Sequence, residues 1–208
     1  MEKTIEDVLV HLQEWRRYPM VVGLLLFETL VFFWSGWGYW SWGVISASRL
    51  DSMGALNTRL VDQGEFWRLL SSIFLHAGWF HWVINSLNLY VLGVLVQRLY
   101  GSLWMMAAFV LARLSGSILT WGMATPRTVG ASGAIFGWMG MLVVLGWKYR
   151  RELQGDGGNM LRQTMPIWTV VSLLLGWLVP MIDNAAHIGG LSIGMALGLL
   201  VEPKSPKR

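Results

Sequence analysis

Two side chains in this 208-residue sequence have types and positions that suit covalent chemistry. Ser132 lies in the small-residue tetrad Gly130, Ala131, Ser132 and Gly133, which opens an apolar stretch, and His187 opens another. A serine at a helix N-terminus has free backbone N–H groups beside it, and these can stabilise an oxyanion. Alone, the tetrad is more typical of a serine that caps a glycine-flanked helix. A nearby base such as His187 would favour the nucleophile.

A second polar pair, His81 and Asn85, has the i, i+4 spacing that places both side chains on one helix face. From there their N–H groups can reach an oxyanion that develops on a neighbouring helix. Losing one such donor typically costs about 3 kcal/mol of transition-state stabilisation. The alternative is a buried His–Asn pair that only ties helices together.

The elements that must position these groups are membrane helices. The chain is 54% hydrophobic and 13% charged, which is too apolar for a soluble domain. A span needs about 20 mostly apolar residues. Six such stretches can be drawn, at residues 20–40, 79–97, 103–123, 132–147, 166–179 and 185–201. The sequence therefore predicts an all-α membrane protein, a six-transmembrane-helix bundle, whose short last three helices begin inside the membrane plane beside a shielded or water-filled space.

Residue counting places the reactive groups at one depth. Three of them precede a basic residue by nearly equal separations: His81 and Arg98 by 17, Ser132 and Lys148 by 16, His187 and Lys204 by 17. At about 1.5 Å per residue they lie roughly 25 Å from one face of a hydrocarbon core about 30 Å thick. Polar groups inside spans usually face the bundle interior, so this level is a candidate functional site.

Glycine spacing predicts which helices touch. The fourth and sixth stretches contain glycines at i, i+4 intervals, namely Gly133 and Gly137 in the fourth and Gly190, Gly194 and Gly198 in the sixth. Small-residue faces let two membrane helices approach closely. We therefore expect Ser132 and His187 to come within hydrogen-bond reach.

Basic residues predict the orientation of the bundle. If the spans alternate, one side collects Arg16, Arg17, Arg98, Lys148, Arg150, Arg151, Arg162, Lys204, Lys207 and Arg208. The positive-inside rule makes that side cytoplasmic, with both termini inside. On the opposite side we expect an ordered first external loop, residues 43–78, lying partly in the interface. An aromatic belt at its edge would consist of Trp34, Trp37, Trp40 and Trp42.

We divide the chain into a cytoplasmic or interfacial segment (residues 1–19), a membrane domain (20–202) and a basic tail (203–208). The first segment is too charged for a signal peptide. Its apolar residues recur at helical spacing, which is typical of a surface amphipathic helix, and a solvated helical tail is the alternative.

Composition excludes some other functions. The net charge of +4 does not indicate nucleic-acid binding, because the basic residues form no single patch with interleaved aromatic residues. The absence of cysteine excludes disulfides and thiolate metal sites. Two isolated charges, Glu28 and Arg113, lie inside spans. They either pair across the bundle, or Glu28 faces lipid in its protonated form or lines the cavity.

The sequence resembles the rhomboid family in four motifs that occur in the family's order. The motifs are Glu65, Trp67 and Arg68; His76, His81 and Asn85; the tetrad from Gly130 to Gly133; and Ala186, His187, Gly190 and Gly194. Together they extend over about residues 64–194, which is most of the chain.

This resemblance implies a rhomboid-like bundle that needs no metal or cofactor. It also implies a Ser–His dyad in which Ser132 is the nucleophile, His187 is its general base, and no carboxylate takes part. The Ser132 backbone N–H, His81 and Asn85 would form the oxyanion hole.

The supporting residues follow from the same resemblance. Phe136, where many relatives carry tyrosine, would stack on the base histidine. Trp67 and Arg68 would anchor the loop at the headgroup level. His76 would be structural, bonding loop backbone or water. Asp183, one turn before His187, is expected to be solvated and not catalytic.

We therefore expect an intramembrane serine endopeptidase whose partners are the lipid bilayer and transmembrane protein substrates, cleaved near the outer face. The resemblance suggests a plasma membrane, with the fifth span and residues 176–183 as the gate. The alternative is a non-catalytic membrane protein. It would be either a transporter, for which no convincing internal repeat is found, or a client-helix-binding pseudoprotease.

Overall fold

The computed structural model describes residues 15–38, 40–41, 43–179 and 181–204. The predicted amphipathic helix and the last four residues of the basic tail lie outside the described residues. The described part begins with a 3-10 turn, Trp15–Arg17, immediately before the first long helix.

Helices make up most of the described chain. In chain order they are α1 (Pro19–Gly36), α2 (Ala47–Ser52), α3 (Thr58–Asp62), α4 (Arg68–Ser71), α5 (Trp79–Tyr100), α6 (Ser102–Gly122), α7 (Ser132–Lys148), α8 (Gly155–Asn159), α9 (Met165–Leu178) and α10 (Asn184–Leu200). A 3-10 turn, Ser72–Phe74, follows α4, and a π-helical turn, Met160–Thr164, precedes α9.

Within the described residues six apolar helices, α1, α5, α6, α7, α9 and α10, form the bundle, which confirms the predicted fold class. Each begins within one residue of its predicted start. Helix α1 ends earlier than predicted, at Gly36, because the chain turns through Gly38 with φ +73°.

The helices differ in length in the way the sequence predicts. By length and composition, α1, α5 and α6 could each cross a membrane. Helices α7 and α10 have 17 residues each and α9 has 14. Seventeen residues span about 25 Å, which is less than a hydrocarbon core of about 30 Å.

The segment of residues 43–78 is ordered, as predicted, but two of its short stretches pair as strands, which the sequence did not predict. Strand β2 (Val44–Ile45) pairs antiparallel with β1 (Trp40–Ser41), which lies just before the segment. Strand β3 (Leu56–Asn57) pairs antiparallel with β4 (Arg127–Thr128). The second pair ties this segment to the connection just before α7.

The predicted headgroup role of Arg68 is wrong. The Arg68 side chain is buried, and it donates to the carbonyl oxygens of Asp51 at 2.7 Å and Ala55 at 3.0 Å and to the Glu65 carboxylate at 2.8 Å. Its guanidinium lies 4.6 Å from the ring centroid of Trp67. The loop backbone turns its carbonyl groups inward, so the cation ties the loop together instead of reaching lipid.

The glycine faces place α7 and α10 in direct backbone contact, as predicted. A Cβ on Gly190 would collide with the Gly133 carbonyl, and one on Gly194 would collide with the Gly137 carbonyl. Each partner in the second pair lies four residues after its counterpart in the first pair, which shows that the two helices run parallel. Consequently the first turns of α7 and α10 lie side by side.

The two ends of the bundle have different characters. Lys148 at the end of α7 pairs with Glu202 at 2.6 Å, and the Lys204 N–H donates to the Leu99 carbonyl at 2.7 Å. We call this the basic end, and the end that carries residues 43–78 the loop end. The first turns of α5, α7 and α10 all lie at the loop end.

Candidate active site

Ser132 and His187 meet at the loop end of the bundle. Ser132 is the first residue of α7, and His187 lies in the first turn of α10. The Ser132 Oγ and His187 Nε2 atoms are 2.9 Å apart, which is hydrogen-bond distance. The glycine contacts below them let the two helices come this close, and the contact predicted from the glycine spacing is therefore present.

Phe136 packs on the histidine ring. Its centroid is 4.2 Å from that of His187, and the two rings are nearly parallel, with an interplanar angle of 14°. Phe136 lies one helical turn after Ser132, so α7 carries both the hydroxyl and the ring that flank His187. The arrangement restricts rotation of the imidazole.

Asp183 does not orient the histidine. Its Oδ1 atom accepts from the Ala186 backbone N–H at 3.1 Å and caps α10. Its Oδ2 atom accepts from the Thr120 hydroxyl at 2.6 Å. The carboxylate is thus half-buried and bonded, not solvated as expected. His187 Nδ1 has no hydrogen-bond partner within the described chain.

His81 and Asn85 lie against the start of α7. A Cβ built on Gly130 would be 2.7 Å from His81 Nε2 and 3.9 Å from Asn85 Nδ2. Gly130 also has φ +113°, a conformation that favours glycine. The Asn85 side-chain amide donates to the His81 carbonyl at 2.9 Å, and its Oδ1 is unpartnered among the described residues. The common depth predicted by residue counting is therefore present.

Two backbone donors open into the same place. Ala131 is in the right-handed helical conformation, with φ −74° and ψ −7°, and Ser132 begins the helix proper. The first N–H groups of a helix have no acceptor in the preceding turn. In the described part of the chain neither the Ala131 N–H nor the Ser132 N–H donates to another backbone carbonyl. Neither N–H is therefore committed to a described backbone acceptor, which is what donation to an oxyanion requires.

His76 is buried beside the site and does not enter it. Its ring contacts His81 edge-on, with centroids 5.1 Å apart. The loop backbone at Phe74 interacts with the His76 ring, although outside ideal hydrogen-bond geometry, so the expected bond to loop backbone or water stays a prediction. Burial holds the pKa of His76 well below its usual value, so the imidazole is neutral at pH 7.

The sequence did not predict the role of Arg113 or any role for Ser72. Arg113 is 1% exposed, donates from Nη1 to the Gly130 carbonyl at 3.3 Å, and donates from Nη2 to the Ser72 hydroxyl. It does not pair with Glu28. Glu28 does not face lipid either, because its side chain is fully buried, and both of its carboxyl oxygens are unpartnered within the described residues.

The described residues hold no group of three or more His, Asp or Glu side chains placed to bind a metal ion.

Comparison with known proteins finds one family. The family model of the rhomboid domain matches residues 63–204 of this chain. The rhomboid protease GluP of Bacillus subtilis (strain 168) is 37% identical over 162 residues, which cover 76% of this chain and 31% of that protein. RHOMBOID-like protein 5 of Arabidopsis thaliana is 35% identical over 168 residues, 76% of this chain and 52% of that protein.

A third relative matches along almost its whole length. The putative rhomboid protease YdcA of Bacillus subtilis (strain 168) is 28% identical over 197 residues, 93% of this chain and 94% of that protein. The match to GluP covers about a third of that protein, and the match to RHOMBOID-like protein 5 covers about half of it.

Proposed function

As this chain belongs to the rhomboid family, we propose that it is an intramembrane serine endopeptidase with a Ser132–His187 dyad. The observation that carries the proposal is the 2.9 Å contact between Ser132 Oγ and His187 Nε2 at the first turns of α7 and α10. A nucleophile within hydrogen-bond reach of its base is the signature of covalent catalysis. Similarity to the rhomboid protease GluP and to the putative rhomboid protease YdcA supports the same activity.

In the proposed reaction Ser132 Oγ attacks the carbonyl carbon of a substrate peptide bond while His187 Nε2 takes the hydroxyl proton. Neutral His187 must then carry its own proton on Nδ1. The imidazolium returns the transferred proton to the leaving amine, which departs and leaves an acyl-enzyme on Ser132. A water molecule, deprotonated by the same Nε2, hydrolyses the ester and frees the serine.

The oxyanion of the tetrahedral intermediate would be stabilised beside Gly130. The Ser132 backbone N–H, His81 Nε2 and Asn85 Nδ2 all lie around this glycine. Donors held in place before the reaction stabilise developing charge without reorganisation. Gly130 has no side chain, so it leaves this space open.

Phe136 takes part of the role that a carboxylate has in a triad. Stacking fixes the ring plane of His187, and the face of an aromatic ring attracts the cation that His187 becomes. Asp183 is engaged by Thr120 and by the N-terminus of α10. The proposed site therefore has a nucleophile, a base and oxyanion donors, and it lacks an orienting carboxylate.

The proposed substrates are transmembrane segments. A substrate helix must unwind to present a carbonyl to Ser132, which favours segments with small or helix-breaking residues at the cleaved bond. We propose access beside α9, whose outer side chains Ile167, Leu174 and Trp177 are exposed. The connection from α9 to α10 lies next to His187, so a shift of α9 would open the site.

We further propose that the basic end is cytoplasmic and the loop end is external, in a plasma membrane. The cluster of Lys and Arg at the basic end supports this orientation through the positive-inside rule. Ser132 would then lie just below the outer face, with residues 43–78 in the outer interface.

The direct test is cleavage of a panel of single-span proteins in proteoliposomes, together with labelling by a fluorophosphonate probe. Wild-type protein should cleave and be labelled, whereas Ser132→Ala and His187→Ala should lose cleavage. Ser192→Ala is the matched control, because the described partner of that exposed α10 hydroxyl is the Ile188 carbonyl of its own helix. Undiminished cleavage by Ser132→Ala would overturn the proposal.

A further inference from the structure

The buried Arg113 forms no direct ion pair in the part of the chain that the structure describes, although the Asp183 carboxylate lies close enough for its charge to act on the guanidinium. It lies in the middle of α6, and its described hydrogen-bond partners are two neutral groups, the Gly130 carbonyl and the Ser72 hydroxyl. Placing a cation inside a membrane helix is expensive and usually reflects a function. The mechanism proposed above does not use Arg113, so its burial needs a separate explanation.

The backbone N–H and the carbonyl of Gly130 are both hydrogen-bonded. Its N–H donates to the Ser72 carbonyl at 2.9 Å, and its own carbonyl accepts from Arg113 Nη1 at 3.3 Å. The Ser72 hydroxyl accepts from Arg113 Nη2 and donates to the Arg68 carbonyl at 2.7 Å. A hydrogen-bonded chain thus runs from α4 through Ser72 and Arg113 to the residue two positions before the proposed nucleophile.

The position of the Gly130 carbonyl determines where the next N–H points. In a planar trans peptide the carbonyl of one residue and the N–H of the next point in opposite directions, and the described chain has no cis peptide bond. Because Arg113 holds the Gly130 carbonyl, the Ala131 N–H must point to the other side of that peptide. Ala131 has helical dihedral angles, so its N–H runs in the same direction as the Ser132 N–H.

We infer that Arg113 is a positioning residue for the proposed peptidase, which fixes the Gly130–Ala131 peptide so that the Ala131 N–H serves as an oxyanion donor beside the Ser132 N–H. Arg113 lies on the far side of that peptide and does not touch the substrate. The inference rests on the proposed function. The guanidinium also polarises the peptide through its carbonyl, which makes the Ala131 N–H a stronger donor.

Without Arg113 the peptide has a second orientation open to it. Glycine adopts backbone conformations that other residues disfavour, so Gly130 can let its peptide rotate. Rotation would turn the carbonyl oxygen of Gly130 toward the place where the oxyanion forms, where a partial negative charge destabilises the intermediate. The loss should therefore fall on the transition state and not on substrate binding.

An arginine suits this place better than a lysine. The planar guanidinium holds two acceptors at once in a fixed relative geometry, whereas an ammonium group is a compact point charge on a flexible stem. Arg113→Lys should therefore keep part of the effect and Arg113→Gln little of it. Ser72→Ala removes one of the two acceptors and leaves the contact between Arg113 and Gly130.

The experiment compares Arg113→Gln, Arg113→Lys and Ser72→Ala in full-length protein reconstituted in liposomes. Arg127→Gln is the matched control, because Arg127 ties the same connection to Asp51 and does not contact Gly130. The readouts are kcat and KM per folded enzyme, Tm, and the ³¹P chemical shift of the fluorophosphonate adduct of Ser132. That shift reports hydrogen bonding to the phosphoryl oxygen, which a purely structural loss would leave unchanged.

We expect Arg113→Gln to lower kcat about 100-fold with KM changed less than about twofold, which is the scale of losing one oxyanion donor. The ³¹P shift should move in Arg113→Gln and not in Arg127→Gln. Arg113→Lys should have an intermediate kcat. Ser72→Ala should lower kcat about 3- to 10-fold, because it weakens the same oxyanion donor without removing it.

Wild-type kcat and ³¹P shift in folded Arg113→Gln would overturn the inference, as would a change in Tm alone. If Arg113→Gln does not fold, the same readouts on Ser72→Ala and Arg113→Lys decide, and unchanged kcat in both overturns it. Absence of Ser132-dependent cleavage in the wild-type protein would instead reject the proposed function.

Discussion

Membrane helices pack in two different ways in this bundle. One is the close contact between α7 and α10, and the other is the looser packing of their neighbour α9. Helices α7 and α10 touch backbone to backbone through glycines and carry the proposed dyad at their first turns. Helix α9 buries few of its side chains, and a cleft of about 870 Å³ toward the basic end is lined by α7, α10 and the first turn of α9.

The difference shows how one bundle can combine precision with access. A hydrogen bond between side chains on two helices requires that the helices do not slide, and glycine contacts leave no room to slide. The proposed transmembrane substrates, by contrast, need a helix that can move aside. The first three changes below test whether α7 and α10 are held rigidly and α9 can move, and the fourth tests the ion pair that ties residues 43–78 to the connection before α7.

The largest effect should come from Gly194→Val. The added side chain would collide with the Gly137 carbonyl and push α10 away from α7. Overpacking of a close contact costs about 1–3 kcal/mol or more, and the separation of Ser132 from His187 should abolish cleavage. Peptidase assays and thermal melts in detergent measure both effects.

Gly23→Ala is the control for this change, since a Cβ on Gly23 would have no neighbour within 4 Å. It should keep full activity and at least wild-type Tm. Full activity in Gly194→Val would show that the glycine contact does not fix the dyad.

Phe136→Ala should have the next largest effect. Aromatic pairs contribute about 0.5–1.5 kcal/mol beyond burial, so loss of the stacked ring should lower kcat about 10-fold by freeing His187. Phe136→Tyr keeps the ring and should retain nearly wild-type kcat. Equal losses in both variants would mean that stacking does not orient the histidine.

A smaller effect, and one of opposite sign, is expected where α9 meets α10. The Asn184 side-chain amide donates to the Leu173 carbonyl at 3.3 Å and links the two helices. Asn184→Ala removes a bond of about 1 kcal/mol, so it should loosen α9 and raise kcat/KM for transmembrane substrates about 2- to 5-fold. Hydrogen exchange in α9 should rise in parallel. Slower cleavage combined with faster exchange would argue against access beside α9.

The smallest effect concerns the ion pair between Arg127 in β4 and Asp51 in α2, which we call the strap. Arg127 donates to the Asp51 carboxylate at 2.6 Å and 2.5 Å, which holds the pKa of Asp51 below its usual value. Because the pKa of Asp51 is lower in the folded protein than in the unfolded chain, its charge stabilises the folded protein at a pH above the unfolded-state pKa. This stabilisation is lost as the pH falls through the folded-state pKa. The pair is partly exposed and should contribute about 0.5–1 kcal/mol.

Wild type should therefore melt slightly above Asp51→Asn at pH 7, and the difference should vanish at the acid end of a titration below about pH 4, the ordinary range of an aspartate. Thermal melts across pH measure it, and Asp156→Asn, an exposed carboxylate in α8, is the control. A difference that persists in acid would mean that the charge on Asp51 does not hold the strap.

Much of the bundle could be predicted from the sequence, because membrane thickness and helical rise restrict where helices begin and end. The start of α7 at Ser132 follows from an apolar run after a glycine-rich turn. The pairing of Gly190 with Gly133 follows from small residues at i, i+4 spacing. The contact between Ser132 and His187 then follows because residue counting places both side chains at the same depth in the membrane.

The remaining features depend on where irregular backbone lies, which helical periodicity does not specify. Arg68 is buried because the loop brings the carbonyls of Asp51 and Ala55 to it. Arg113 was visible as a charge inside a span, but its partners come from a 3-10 turn and a glycine with positive φ. No sequence pattern predicts that the Ser72 hydroxyl or the Gly130 carbonyl would accept a hydrogen bond from Arg113.

The two members of the proposed dyad are 55 residues apart in the chain and on different helices. During synthesis at about 5–20 residues per second, Ser132 is made some 3–11 s before His187. The hydroxyl therefore has no base until α10 has inserted beside α7. For the proposed peptidase, a nascent chain that has not yet inserted α10 has no complete dyad with which to cut the membrane helices around it, so the order of synthesis delays activity until the bundle is complete.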